Sequence, residues 1–194
     1  MTAEAGPFQT RPMPPRPGRG APGRRLAEIL RVDHAGEFGA VHIYRGQRAV
    51  LDAAPGRERI AGDLAKMEGH EAVHLARFDA LLTEARVRPT LMAPLWRAAG
   101  FALGAGTALM GEKAAHACTE AVESVIEAHY AGQIAELSDR DPALAAELSH
   151  FRDEELAHRD HAVAEGAREA PGYGLLAAVI RAGCKAAIKI SEKI

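Results

Sequence analysis

The stretch FRDEELAHRDHA, residues 151–162, decides how the chain is read. At its centre Glu155 and His158 stand three apart, so on an α-helix both side chains leave the same face. One ExxH word is weak evidence, because a chain with 18 Glu and 9 His yields about one by chance. Three occur here: Glu71–His74, Glu147–His150 and Glu155–His158. Register separates two of them from the third. Glu37 precedes Glu71 by 34 residues (71 − 37), and Glu123 precedes Glu155 by 32 (155 − 123). Each half therefore reads as a helix with one inward Glu, a turn, and a helix with an inward ExxH. Helices of about 25–30 residues joined by a short turn bring those positions to one height in an antiparallel hairpin.

Two such hairpins, face to face, supply four Glu and two His at the centre of a four-helix bundle: Glu37, Glu71, His74, Glu123, Glu155 and His158. One Glu from each of two helices and one ExxH from each of the other two is the ligand recipe of di-iron and di-manganese carboxylate proteins. The residue types suit the chemistry. Carboxylates offset the repulsion between two cations, and imidazole adds a ligand that iron accepts while positions stay open. Without cations, such a cluster among Leu, Val and Met is costly to bury. Glu147 lies eight residues before Glu155, about 80° around the helix. It has no Glu at the repeat spacing, so Glu147 and His150 are assigned to the surface or the bundle end. Glu68, Glu120, Glu127 and Glu154 lie off register and are expected to be solvated or to support a ligand from behind. Metal-bound His usually donates its other N–H to a carboxylate or carbonyl, and Asp33 and Asp153 are candidates beside plain surface roles. Tyr130 stands one heptad after Glu123, so it is either close to the reacting centre or a core tyrosine.

Outward from the repeat, residues 1–23 hold six of the eleven prolines and read as a disordered arm. The arm lacks an apolar secretory core, and its proline density argues against a helical transit peptide. Helices are expected over 24–53, 57–85, 112–138, from Asp141-Pro142 to about 168, and over 174–193. Pro55-Gly56 and Pro171-Gly172 supply the breaks. Asp141 should cap its helix, with Pro142 at the first turn. The stretch 89–111, PTLMAPLWRAAGFALGAGTALMG, is apolar with Arg97 its sole charge. It is either a buried helix or a short helix that packs on the bundle and touches a bilayer. Its Gly100 and Gly104 would permit close helix contact. The last helix sets Leu175, Val179, Ile180 and Ile190 against Arg181, Lys185 and Lys189. That pattern suits an anionic membrane surface or a cap on the bundle. With a formal net charge of −2, nothing indicates nucleic acid. Cys118 and Cys184 form no CxxC unit, so neither a disulfide framework nor a zinc-thiolate site is expected.

The strings VDHAGEFGA (32–40), RVRPTLMAPLW (86–96), GFALGAGTALMG (100–111), EAHYAGQ (127–133) and FRDEELAHRDHA resemble the demethoxyubiquinone hydroxylases of ubiquinone biosynthesis. The resemblance runs from about residue 24 to 194. It implies an all-α, ferritin-like four-helix bundle with extra apolar and amphipathic helices, so that 24–194 forms a ferritin-like di-iron domain. It implies two iron ions per chain at the six ligands above, and a His-Tyr pair, His129 and Tyr130, beside the quinone. It also implies a polyprenyl quinol substrate, NADH or another reductant as electron source, contact with membrane lipid, and other ubiquinone-pathway proteins as partners. The expected place is the cytoplasmic face of the inner membrane for a bacterial member, peripherally bound, or the matrix side of the mitochondrial inner membrane for a eukaryotic one. The implied reaction is a monooxygenation that adds a hydroxyl to the methoxy-benzoquinol ring. The rivals are an iron-binding or peroxide-scavenging ferritin-like protein and a scaffold without turnover. The apolar 91–110 segment counts against storage, and the absence of a CxxC domain counts against the scavenger.

Overall fold

The computed structural model describes residues 23–194; the arm expected over 1–23 falls, apart from Gly23, outside the described residues. Six α-helices and no strand make up the described chain: α1 Arg24–Leu51, α2 Glu58–Ala85, α3 Ala93–Leu109, α4 Glu112–Leu137, α5 Pro142–Ala164 and α6 Tyr173–Lys193. This is the all-α, ferritin-like architecture expected. α1 and α2 form one antiparallel hairpin, α4 and α5 the second, and α3 crosses from one to the other.

Local chemistry sets the boundaries. Asp141 accepts the Leu144 N–H at 3.1 Å and Pro142 opens α5, so the cap expected there forms. α5 stops at Ala164, short of 168, because Gly166 turns into the left-handed region at φ 88° and one 3-10 turn, Ala167–Glu169, follows. α3 begins only at Ala93, since the Thr90 hydroxyl takes the Met92 N–H and Pro94 sits in the first turn.

The bundle interior is layered. At one end Leu30, Phe78, Leu82, Leu148 and Phe151 pack together; at the other, Leu51, Ile60, Leu64 and Met67 do. The six expected ligands occupy the layer between these two apolar plugs. α3 lies against α1 at near-backbone contact. A Cβ on Gly104 would fall 1.9 Å from the Ile43 carbonyl oxygen, and one on Gly46 would fall 2.2 Å from that of Phe101. The Gly100–Gly104 pair thus does what its spacing promised.

α6 packs on α4 through a charge taken inside. Glu120 is buried and accepts from the Arg181 guanidinium at 2.8 and 2.9 Å and from the Tyr173 hydroxyl at 3.0 Å. Glu120 is therefore neither solvated nor behind a ligand, and Arg181 does not join a basic outer edge. The α4–α6 crossing gives each a partner that no spacing along one helix reveals. Of the large apolar side chains that are exposed among the described residues, all but Val73 lie on α3, α6 or the residues flanking them, among them Leu95, Phe101, Leu109, Leu175 and Val179. No described helix is long and apolar enough to cross a membrane.

Candidate metal centre

All six predicted ligands converge. Glu37 from α1, Glu71 and His74 from α2, Glu123 from α4, and Glu155 and His158 from α5 are each no more than 5% exposed. Their donor atoms form two sets, each drawn together within 4.8 Å: Glu37, Glu71, His74 and Glu155, then Glu71, Glu123, Glu155 and His158. Glu71 and Glu155 belong to both sets. His74 Nδ1 lies 3.2 Å from Glu155 Oε1 and 3.5 Å from Glu37 Oε2. His158 Nδ1 lies 3.2 Å from Glu71 Oε1 and 3.4 Å from Glu155 Oε2.

Whether metal suits this pocket is decided by its unmet atoms. Glu37 Oε2, Glu71 Oε1, both oxygens of Glu155, His74 Nδ1 and His158 Nδ1 are all buried without a hydrogen-bond partner among the described residues. Buried polar atoms are almost always satisfied, so this many orphans converging on one point fit a bound cation. The electrostatics agree. Burial, then the neighbouring Glu155, Glu37 and Glu123 charges, push the Glu71 carboxyl well above its ordinary pKa. Burial and Glu155 do the same to Glu123. At His74 burial opposes the charge, but the carboxylates of Glu155, Glu37 and Glu154 around the ring carry the imidazole up to about 11. Glu155 pulls the other way: burial raises it, and the two imidazoles outweigh burial and hold it at about 2. In the metal-free chain, protons thus stand in for the positive charge the cluster needs.

Two tyrosines cross the bundle to the outer Glu of the opposite hairpin. Tyr44 donates to Glu123 Oε1 at 2.9 Å, and Tyr130 donates to Glu37 Oε1. Tyr44 was not singled out in the sequence. Its overlooked signal is that it stands one heptad after Glu37, as Tyr130 does after Glu123. The outer nitrogens of the two histidines are also met. His74 Nε2 contacts Glu154 Oε2 at 2.6 Å, and His158 Nε2 contacts His70 Nδ1 at 3.0 Å. Glu154 thus takes the supporting place anticipated for the off-register glutamates. His70 was missed. Asp153 is an exposed neighbour of Arg152, and Glu147 pairs with Arg77 at the surface while His150 is exposed.

Asp33 does not back a ligand. Its buried Oδ1 accepts from Gln133 Nε2 at 2.7 Å and lies 3.2 Å from His129 Nε2. Burial, against the pull of His129, raises its pKa. His129, Tyr130, Asp33 and Glu37 are the polar residues in the lining of an apolar cavity of about 390 Å³ between α1, α3, α4 and α6, apart from Ser191. Trp96 and Val179 line the same cavity from α3 and α6, and Val179 is exposed.

A ferritin-like bundle with a buried carboxylate–imidazole cluster, its donors oriented for metal, is the class that fold and site define. The chain belongs to the family described as "Ubiquinone biosynthesis protein COQ7", whose model matches residues 24–191. It is 52% identical over 178 residues to the 3-demethoxyubiquinol 3-hydroxylase of Rhodospirillum rubrum, covering 92% of this chain and 82% of that one. It is 49% identical over 170 residues to the human mitochondrial NADPH-dependent 3-demethoxyubiquinone 3-hydroxylase, covering 86% and 76%. Against the yeast 5-demethoxyubiquinone hydroxylase, identity is 39% over 184 residues, covering 87% and 78%.

Proposed function

We propose that this chain, through residues 24–194, is a di-iron monooxygenase that hydroxylates the ring of a polyprenyl methoxy-benzoquinol in ubiquinone biosynthesis. The observation that carries the reading is the meeting of two features: a buried cluster of orphaned carboxylate and imidazole atoms, and an apolar cavity lined in part by one of its ligands, Glu37. The relatives are named as hydroxylases of this quinone class.

Glu37 and His74 would hold one iron, Glu123 and His158 the other, with Glu71 and Glu155 serving both. Two irons bound there supply the dioxygen-activating redox chemistry that no side chain can provide. One oxygen atom enters the ring as hydroxyl and the other leaves as water. The two electrons this needs come from NADH or another reductant, and the two protons from that reductant and solvent. The chain's own groups do the positioning. The apolar walls take the ring and the start of the isoprenoid tail and exclude water from the centre. His129 and Tyr130 face the ring, with Asp33 fixing the His129 imidazole and Tyr130 holding its proton on Glu37 Oε1. A substrate whose tail stays in lipid must present its head from the membrane side. The exposed apolar side chains of α3 and α6 flank the cavity and give the protein a peripheral seat on the inner membrane. Other ubiquinone-pathway proteins are expected partners at that surface. A storage protein has no use for an apolar outer layer or for a cavity leading to its metal.

The test is quinone profiling of a strain lacking the gene. The demethoxy intermediate should accumulate, wild type should clear it, and Glu71→Ala should not. Clearance by Glu71→Ala, or iron uptake running to many ions per chain, would overturn the reading.

A further inference from the structure

The ligand cluster has an approximate twofold built from the repeat. Glu123 and Tyr130 follow Glu37 and Tyr44 by 86 residues, and Glu155 and His158 follow Glu71 and His74 by 84. Tyr44 and Tyr130 treat the two outer glutamates alike, and Glu71 and Glu155 serve both donor sets. The symmetry breaks one residue before each ExxH. There the first hairpin carries His70 and the second carries Glu154, also 84 apart. Each reaches across to the outer nitrogen of the other hairpin's histidine.

The difference is one of charge. A histidine that gives its Nδ1 lone pair to a cation keeps its proton on Nε2. For His74 that proton is donated to a carboxylate, at a contact of 2.6 Å. For His158 it is donated to the Nδ1 lone pair of His70, which must then be a neutral imidazole; that contact is 3.0 Å and His70 is exposed. A charged acceptor makes the shorter, stronger bond and draws more electron density onto the ligating nitrogen. It also adds a negative charge beside one half of the centre alone.

We infer that the two halves of the centre bind metal unequally: the half of Glu37 and His74, which borders the cavity, is the tighter, and Glu154 and His70 are the positioning residues that make it so. This rests on the dimetal reading above. The half of Glu123 and His158 fills second and empties first, so loss of one metal leaves the cavity-side ion in place.

Anaerobic titration of the metal-free full-length protein with cobalt(II), followed by its d–d absorption and by calorimetry, tests the inference. Wild type should take up two cobalt ions in two steps whose dissociation constants differ by about 10–100-fold, the range typical for outer partners of metal ligands. His158→Ala should keep the tight step and His74→Ala the weak one. Glu154→Gln should weaken the tight step by about 10–100-fold and leave the other in place. His70→Glu, at an exposed position that does not threaten folding, should tighten the weak step until the two merge. Two equal steps in wild type, or unchanged constants in both Glu154→Gln and His70→Glu, overturn the inference and leave the dimetal centre standing. Failure of wild type to bind two ions overturns the centre and the inference together.

Discussion

The four-helix interior and the α3–α6 layer break the ordinary distribution of polar and apolar groups in opposite directions. In the interior, four carboxylates and two imidazoles sit in a buried layer between two hydrophobic plugs. In the outer layer, Leu95, Phe101, Leu109, Leu175 and Val179 face outward. Each arrangement is unfavourable by itself, since buried charge needs a counter-charge and exposed apolar area needs a cover. Stability explains neither. On the proposed function a pair of cations would resolve the first and a lipid surface the second, and Val179 and Glu37 line one cavity between them.

The sharpest way to break this contrast is to neutralise the interior. Glu71→Gln removes a carboxylate common to both donor sets, so hydroxylation should be abolished and the rise in melting temperature on adding metal should vanish. The metal-free protein should melt at the same temperature or higher, because a carboxyl held protonated by burial among like charges contributes no favourable charge there. Calorimetric melting with and without metal checks both halves, and a clear loss of metal-free stability would count against the cluster as an electrostatic burden.

Next in size is the effect of pH on metal affinity. His74 keeps its proton up to about pH 11 in the metal-free chain, whereas a bound metal needs Nδ1 bare. Metal must displace that proton at neutral pH, so affinity should rise with pH by about tenfold per unit for each proton displaced. Titrations from pH 6 to 8 should show it, with proton release visible as buffer-dependent binding heat. In the metal-free fold the same proton acts in the opposite sense. Its contribution is full below the ordinary histidine pKa and is lost as pH rises through about 11.

The seam between the two regions comes third. Gly104→Ala sets a methyl 1.9 Å from the Ile43 carbonyl oxygen and should cost about 2 kcal/mol or more by chemical denaturation. Gly106→Ala, with open space around its Cβ, should cost nothing by comparison. The smallest effect belongs to the outer layer. Leu95→Glu with Val179→Glu should weaken sedimentation with anionic vesicles by about tenfold while metal content stays at the wild-type level. Unchanged vesicle binding would show that the exposed face has some other cover.

Much of this was legible in the chain. The inward register of Glu37, Glu71, His74, Glu123, Glu155 and His158 followed from two hairpins of nearly equal length. The Asp141 cap and the glycine contact of α3 followed from local chemistry. The supporting residues were less legible. His70 has no meaning until α5 is laid beside it, and Tyr44 does not stand out because the glutamate it serves is 79 residues away. Asp33 was read as either a partner for a ligand or a surface residue, and it instead holds His129 at the cavity.

The sequence by itself determined the helical class, the repeat and the inventory of possible ligands, because spacing along a helix is a covalent property and fixes which side chains share a face. Only the tertiary structure decided which tyrosine meets which glutamate, what stands behind each histidine, where Glu120 finds Arg181, and which sides of α3 and α6 stay uncovered. Those pairings depend on the rotation and separation of helices packed across the bundle, and no period within one helix encodes them.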